Sequence, residues 1–176
     1  MKKITITIIL LLITITLSAQ VQLYEGFYEG MTKKESKKEL SQNKDKYSVI
    51  DFGKGVEWKI FKPGLGITDE LYELHFLSSQ GYVSGQNALV YLETTADVLK
   101  NMGYTVYLEN ENWKYPHYWA VKQYTHGLML IDPKKTKIVH LYYSGTITIA
   151  RMTIQSLKYT EQQLAESNNK EEVSGF

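Results

Sequence analysis

The chain has 176 residues, a formal net charge of +1 and no cysteine. That length suits one domain with a real core. The balanced charge excludes a global pull toward nucleic acid or acidic lipid, and the missing cysteines exclude disulfide staples, thiol catalysis and thiolate metal sites. Fourteen tyrosines and three tryptophans lean the composition toward strands.

The opening stretch, MKKITITIILLLITITLSAQ, has three parts: Lys2 and Lys3, an apolar run over 4–17, and the small residues Ser18 and Ala19. These are the parts of a secretory signal peptide. The run is shorter than the roughly 20 apolar residues of a spanning helix. Cleavage after Ala19 is expected, which makes 1–19 the signal and takes the formal charge from +1 to −1. The expected location is the periplasm or the extracellular space. No lipobox cysteine follows, and no membrane span is expected after signal removal.

The segment GMTKKESKKEL (30–40) reads as a short helix. Thr32 can act as N-cap, with Glu35 three residues on to complete a capping box and Met31 where a hydrophobic staple begins. The helix is nearly all polar and must be peripheral. YSVIDF (47–52) and VEWKIF (56–61) alternate like half-buried strands, and Gly53 to Gly55 turns them into a hairpin. KPGLGITD (62–69) is read as a loop and ELYELHFL (70–77) as a third strand. SSQGY then turns into a fourth strand ending in ALVYL (88–92).

TTADVLKNMG (94–103) reads as a second helix, with Thr94 as cap, Asp97 completing the box, Gly103 as stop, and Ala96, Leu99 and Met102 on one face. YTVYLE (104–109), HYWAVKQY (117–124), LMLI (128–131) and KIVHLYY (137–143) are strands, and the turn at 132–135 has proline at a favoured position. Residues 146–159 form a closing strand, and 160–176 a frayed helix running into a flexible polar tail. The expected domain is therefore 20–159, with two helix-plus-strands units at 24–92 and 93–159. Short helices set on an antiparallel sheet make an α+β fold.

The stretch YEGMTKKESKKEL resembles the helix start of the small outer-membrane assembly lipoproteins of the BamE (SmpA/OmlA) type. It is also similar to the β-lactamase-inhibitor-protein-like domains of related architecture. The resemblance covers about ten residues, 30–40. It implies a small α+β module that binds other proteins through its sheet and loops. Ser36 stands where those families place an apolar residue, and the lipidation cysteine is absent.

Chemistry has few places in this chain. There is no nucleophile elbow, phosphate-cradling glycine loop or zinc helix, so no catalytic residue, cofactor or metal site is assigned. His75 and His140 sit mid-strand in the outward phase and read as sheet-surface residues. His117 and His126 flank one strand, roughly 30 Å apart at about 3.3 Å per residue, too far to share a metal without a bend. The stronger candidate is the aromatic cluster NWKYPHYW (112–119), where Trp113, Tyr115 and Tyr118 surround the stiff Pro116 and Trp119 serves as core anchor. Aromatics of this kind anchor protein interfaces and stack on sugars. KPGLG (62–66) is a candidate partner loop.

Two classes of function follow. The first is an exported module that binds another protein, of the inhibitor, immunity or envelope-accessory type. The second is a small secreted hydrolase or carbohydrate-binding protein that sets His117 or His126 against a carboxylate such as Asp132, Glu109 or Glu111. Neither involves nucleic acid. The signal reading makes a direct prediction. Protein isolated from its native host should begin at Gln20, and an intact mass retaining Met1 would refute it.

Overall fold

The computed structural model describes residues 20–81, 83–110, 127–144 and 149–174. Within them the elements are β1 (Gln22–Tyr24), β2 (Phe27–Tyr28), α1 (Lys33–Gln42), α2 (Lys44–Ser48), β3 (Ile50–Asp51), β4 (Glu57–Leu65), β5 (Leu71–Ser78), α3 (Gln86–Asn101), β6 (Thr105–Glu109), β7 (Gly127–Ile131), β8 (Lys137–Ser144), β9 (Ile149–Ser156) and α4 (Leu157–Ser174). Strands β3 to β9 form one antiparallel sheet in the order β3-β4-β5-β9-β8-β7-β6, and β1 pairs with β2 in a small ribbon. The fold is α+β. Among the described residues no helix is long and apolar enough to cross a membrane.

The path explains the layers. β3, β4 and β5 step inward from one edge, α3 carries the chain to the far edge, and β6 to β9 step back until β9 meets β5. Side chains alternate across a strand, so one face collects Leu74 and Phe76 of β5, Met152 and Ile154 of β9, Val139 and Leu141 of β8, and Leu128 and Leu130 of β7. Helix α3 adds Ala88, Leu92, Ala96 and Leu99 to this cluster. Fully burying one such Leu or Phe side chain stabilises by about 1.5–3 kcal/mol. Trp58 is wholly enclosed there. Its Nε1 donates to Thr95 Oγ1 at 3.2 Å, and its ring meets Tyr91 at 5.1 Å.

Several elements depart from the sequence reading. Residues 88–92 are not a strand: α3 begins at Gln86 and runs through them. Ala88, Leu92, Ala96 and Leu99 recur at helical spacing, and that longer period outweighs the short apolar run. Thr94 is therefore no cap. It lies mid-helix, and its Oγ1 donates to the Val90 carbonyl at 2.7 Å. The stop at Gly103 is as read. With φ +89° it lets its own N–H reach the Lys100 carbonyl and the Tyr104 N–H reach Leu99, a Schellman ending.

Strand β3 is only two residues long, because α2 takes up Tyr47. The Tyr47 ring packs on Phe27 at 5.1 Å, and its hydroxyl donates to Glu39 Oε1 and the Glu25 carbonyl. Strand β4 continues through Pro63 and Gly64, which were read as loop. Beyond Trp58 the short β3 no longer flanks it, so that half of β4 behaves as an edge, where proline is tolerated. The closing strand ends at Ser156, and the polar stretch from Thr160 continues as α4. Thr160 is buried against the sheet. The units 24–92 and 93–159 share one sheet, and the boundary between them falls inside α3.

Helix α1 carries the capping box read from the sequence. The Glu35 N–H donates to Thr32 Oγ1 at 3.3 Å, and the Thr32 N–H donates back to Glu35 Oε2 at 2.8 Å. The Thr32 hydroxyl, donating to Glu35 Oε2 at 2.7 Å, and then the Thr32 N–H hold the Glu35 carboxyl below its ordinary range. Ser36 is the fully buried residue of the helix, and its hydroxyl donates to the Lys33 carbonyl. Thr32→Ala should lower unfolding free energy by about 1 kcal/mol, measured by urea denaturation.

Candidate functional site

The sheet face opposite the apolar core has a different chemistry. Its position depends on a bulge in β5. The register passes from Gly64↔Glu73 to Leu65↔Leu71, which leaves Tyr72 as the extra residue. Leu71 and Leu74 both enter the core, and Tyr72 and Glu73 both turn to the reverse face. Across that face His75 pairs with Thr153 and Thr153 with His140, while Glu73 pairs with Gln155. Three adjacent strands, β5, β9 and β8, thus present one polar row beside another.

These residues floor a groove of about 380 Å³. Tyr142 and Met129 extend the floor, and Gln163 and Leu164 of α4 form a wall. His75 Nε2 lies 2.8 Å from Glu73 Oε1. Opposite them Gly64 has no side chain, and a Cβ there would stand 2.3 Å from Glu73 Cγ. At the α4 end Gln155 Nε2 donates to Thr160 Oγ1 at 2.7 Å, Thr160 Oγ1 donates to the Ser156 carbonyl, and Gln163 Nε2 donates to Tyr159 Oη. Tyr159 in turn packs on Tyr72 with ring centroids 4.1 Å apart. Burial, then the Glu73 charge and the Tyr159 hydroxyl, push the Tyr72 hydroxyl well above its ordinary value.

His140 is the unusual member. It is 8% exposed, and its Nε2 is buried without a hydrogen-bond partner among the described residues. The ring stacks on Tyr142 at 4.7 Å. Nε2 occupies the space that a side chain on residue 127 would need: a Cβ on Gly127 would lie 2.6 Å from it and 2.2 Å from the Leu141 carbonyl. Burial pulls the His140 pKa down to about 4, against the smaller opposing pull of the Glu73 charge, so the ring is neutral at physiological pH. Tyr143 Oη, likewise buried without a hydrogen-bond partner among the described residues, belongs to a residue packed on the core side.

Asp132, one of the carboxylates weighed from the sequence, is committed to the β7–β8 turn. Burial works to raise its pKa, but N–H groups of Lys137, Thr136 and Lys134 donate to it and hold it below the usual range. Glu109 ends the exposed strand β6. Trp113, Tyr115, Tyr118, Trp119, His117, His126 and Glu111 lie outside the described residues. His75 takes the outward phase read for it. His140 shares that face but is enclosed, which the alternation alone did not show. A signal was present: Glu73, His75, His140, Thr153 and Gln155 are all polar at outward positions of three successive central strands.

Two other surfaces stand apart. A hollow between α1, α2 and β4 has an apolar floor of Leu40, Tyr47 and Ile60 with Lys37, Lys44 and Lys59 around it. Strand β6 is an outermost strand of the described sheet, with all five residues exposed, including Val106, Tyr107 and Leu108. Among the described residues no cluster of three or more His, Asp or Glu side chains can hold a metal ion. No family model matches the chain, and no curated protein or solved structure matches it at a significant level.

His140 makes stability depend on pH with a defined sign. The unfolded chain takes up its proton near the ordinary value of 6.5, and the folded chain only near 4. Between those values the unfolded state holds more protons, so stability falls as pH falls; above 6.5 this contribution is complete. The full loss is of the order of 3 kcal/mol. Urea unfolding at pH 7 and pH 4 should show a smaller drop for His140→Phe than for the unsubstituted protein. Equal drops would contradict this assignment.

Proposed function

We propose that the chain is an exported binding module that holds a small polar ligand in the reverse-face groove. One observation carries this reading: the reverse-face groove of about 380 Å³, lined by the polar side chains of Glu73, His75, Thr153 and Gln155 beside the enclosed His140 ring. A ligand hydroxyl or amide placed in the groove would hydrogen-bond to these side chains. The supporting geometry is preformed, since the floor lies on three hydrogen-bonded strands rather than on loops. Export rests on the signal-like segment 1–19. Binding of a small polar compound should move the ring resonances of His75 and His140. A compound that binds tightly yet leaves both rings unperturbed would refute the assignment.

A second reading retains a protein as the partner. Val106, Tyr107 and Leu108 are exposed on an outermost strand, and such strands accept an added strand from another chain. The aromatic residues Trp113, Tyr115 and Tyr118 follow soon after in sequence. An inhibitor, immunity or envelope-accessory role would use this edge. A photo-crosslinker in place of Tyr107 should then capture one defined partner in the native envelope, and Leu108→Lys should abolish that capture without lowering the melting temperature.

A further inference from the structure

We infer that the groove takes a neutral saccharide of one or two rings, recognised by uncharged hydrogen-bonding side chains on β8 and β9 with an aromatic ring beside them. The inference rests on the groove being the binding site and adds the class of its ligand.

Charge narrows the choice first. Among the described residues no lysine or arginine lines the groove, so a phosphate or carboxylate would lose its hydration with no counter-charge from them to replace it. The one lining carboxylate among the described residues, Glu73, already faces His75 at 2.8 Å, which disfavours a free cation. His140 is neutral above about pH 4. A polar ligand without net charge is what remains.

The hydrogen-bonding inventory then points to hydroxyls. A neutral imidazole offers one donor and one acceptor, and a threonine hydroxyl is both. Thr153 and Gln155 are each 3% exposed, so these groups are held by the sheet and not by solvent. The Gln155 amide nitrogen is engaged by Thr160 and Gln163, which fixes its plane. A hydroxyl answers such a mixture of donors and acceptors by rotating, because it is both. Neighbouring strands are about 4.8 Å apart, close to the span between alternate equatorial hydroxyls of a pyranose ring. The row from Thr153 to His140 therefore has the right pitch.

The apolar part fits as well. Tyr142 stacks on His140 and, with Leu164 on the facing wall, offers contact to the C–H face of a sugar. The volume of about 380 Å³ lies at the small end of ligand pockets, which run from about 300 to 1,000 Å³. It accommodates one or two rings and excludes a long oligosaccharide from full burial.

The test uses the mature chain, residues 20–176, with labelled histidine rings. The neutral probes are D-glucose, D-galactose, N-acetyl-D-glucosamine, maltose and cellobiose; the charged probes are glucose-6-phosphate, glucuronate and glucosamine. At least one neutral sugar should shift the His140 ring signals in a saturable way and bind at least tenfold tighter than its charged counterpart. Gln155→Leu should weaken that binding tenfold or more, while Lys46→Ala, far from the groove, should leave it unchanged. If a charged probe binds in the groove as tightly or more tightly, the ligand class is wrong and the groove assignment stands. If no probe of either set moves the His75 or His140 rings, the saccharide inference fails, and the groove reading returns to compounds outside these sets. Should Gln155→Leu fail to fold, the ring-shift titration of the unsubstituted protein decides the question alone.

Discussion

Most of this molecule depends on the antiparallel pairing of β5 with β9. Residues Glu73 to Phe76 meet Met152 to Gln155, and that ladder joins the strands before α3 to the strands after it. Its register decides both faces at once. Leu74 and Phe76 lie with Ile154 and Met152 in the core, while Glu73 and His75 lie with Gln155 and Thr153 in the groove. A slip of one residue would move the slipped strand's apolar pair to the polar face. Leaving two large apolar side chains in water forfeits several kcal/mol at about 1.5–3 kcal/mol each. The hydrophobic face therefore holds the polar row in place, although the polar row contributes little attraction itself.

A polar face on central strands needs cover that satisfies it. Helix α4 provides this at one end, where Gln155, Thr160, Ser156, Gln163 and Tyr159 form a continuous chain of hydrogen bonds. Ser156 also reaches back to Glu29, donating to its Oε1 at 2.6 Å, and so ties the end of β9 to the loop before α1. Beneath these contacts Met129, Ile131 and Ile138 make a small second apolar cluster with Leu157. The groove runs beside this cover, along Glu73, His75 and the enclosed His140.

The periphery is held by single ties. Lys137 Nζ donates to the Gln22 and Leu23 carbonyls, fixing the β1–β2 ribbon to β8, and burial lowers its pKa. Asp132 orders the preceding turn through backbone donors. Tyr47 anchors α2 to the loop between β1 and β2. Each adds a directed hydrogen bond to the few hydrophobic contacts that these short elements make through Leu23, Phe27 and Tyr47. The surface ion pairs, Lys33–Asp69 and Lys46–Glu25, are exposed and add little by comparison.

Local chemistry was legible in the sequence. The capping box at Thr32 and Glu35, the helix stop at Gly103, the hairpin turn at Gly53 to Gly55 and the alternation of β5 and β8 each involve residues within a few positions of one another, and their steric and hydrogen-bonding rules act at that range. The α+β class followed from them. What failed was also local in appearance: residues 88–92 fit a strand as well as a helix, and only packing of Leu92 beside Leu99 and Ala96 chose the helix. Pro63 entered a strand because β3 is short, and the polar residues after Thr160 became α4 because a polar sheet face was there to receive them. The candidate site belongs wholly to this second kind. His75, Thr153 and His140 are distant in sequence, and no periodicity relates them. They meet because burying the apolar side chains of β5, β9 and β8 on one face leaves the alternate residues no choice but the other.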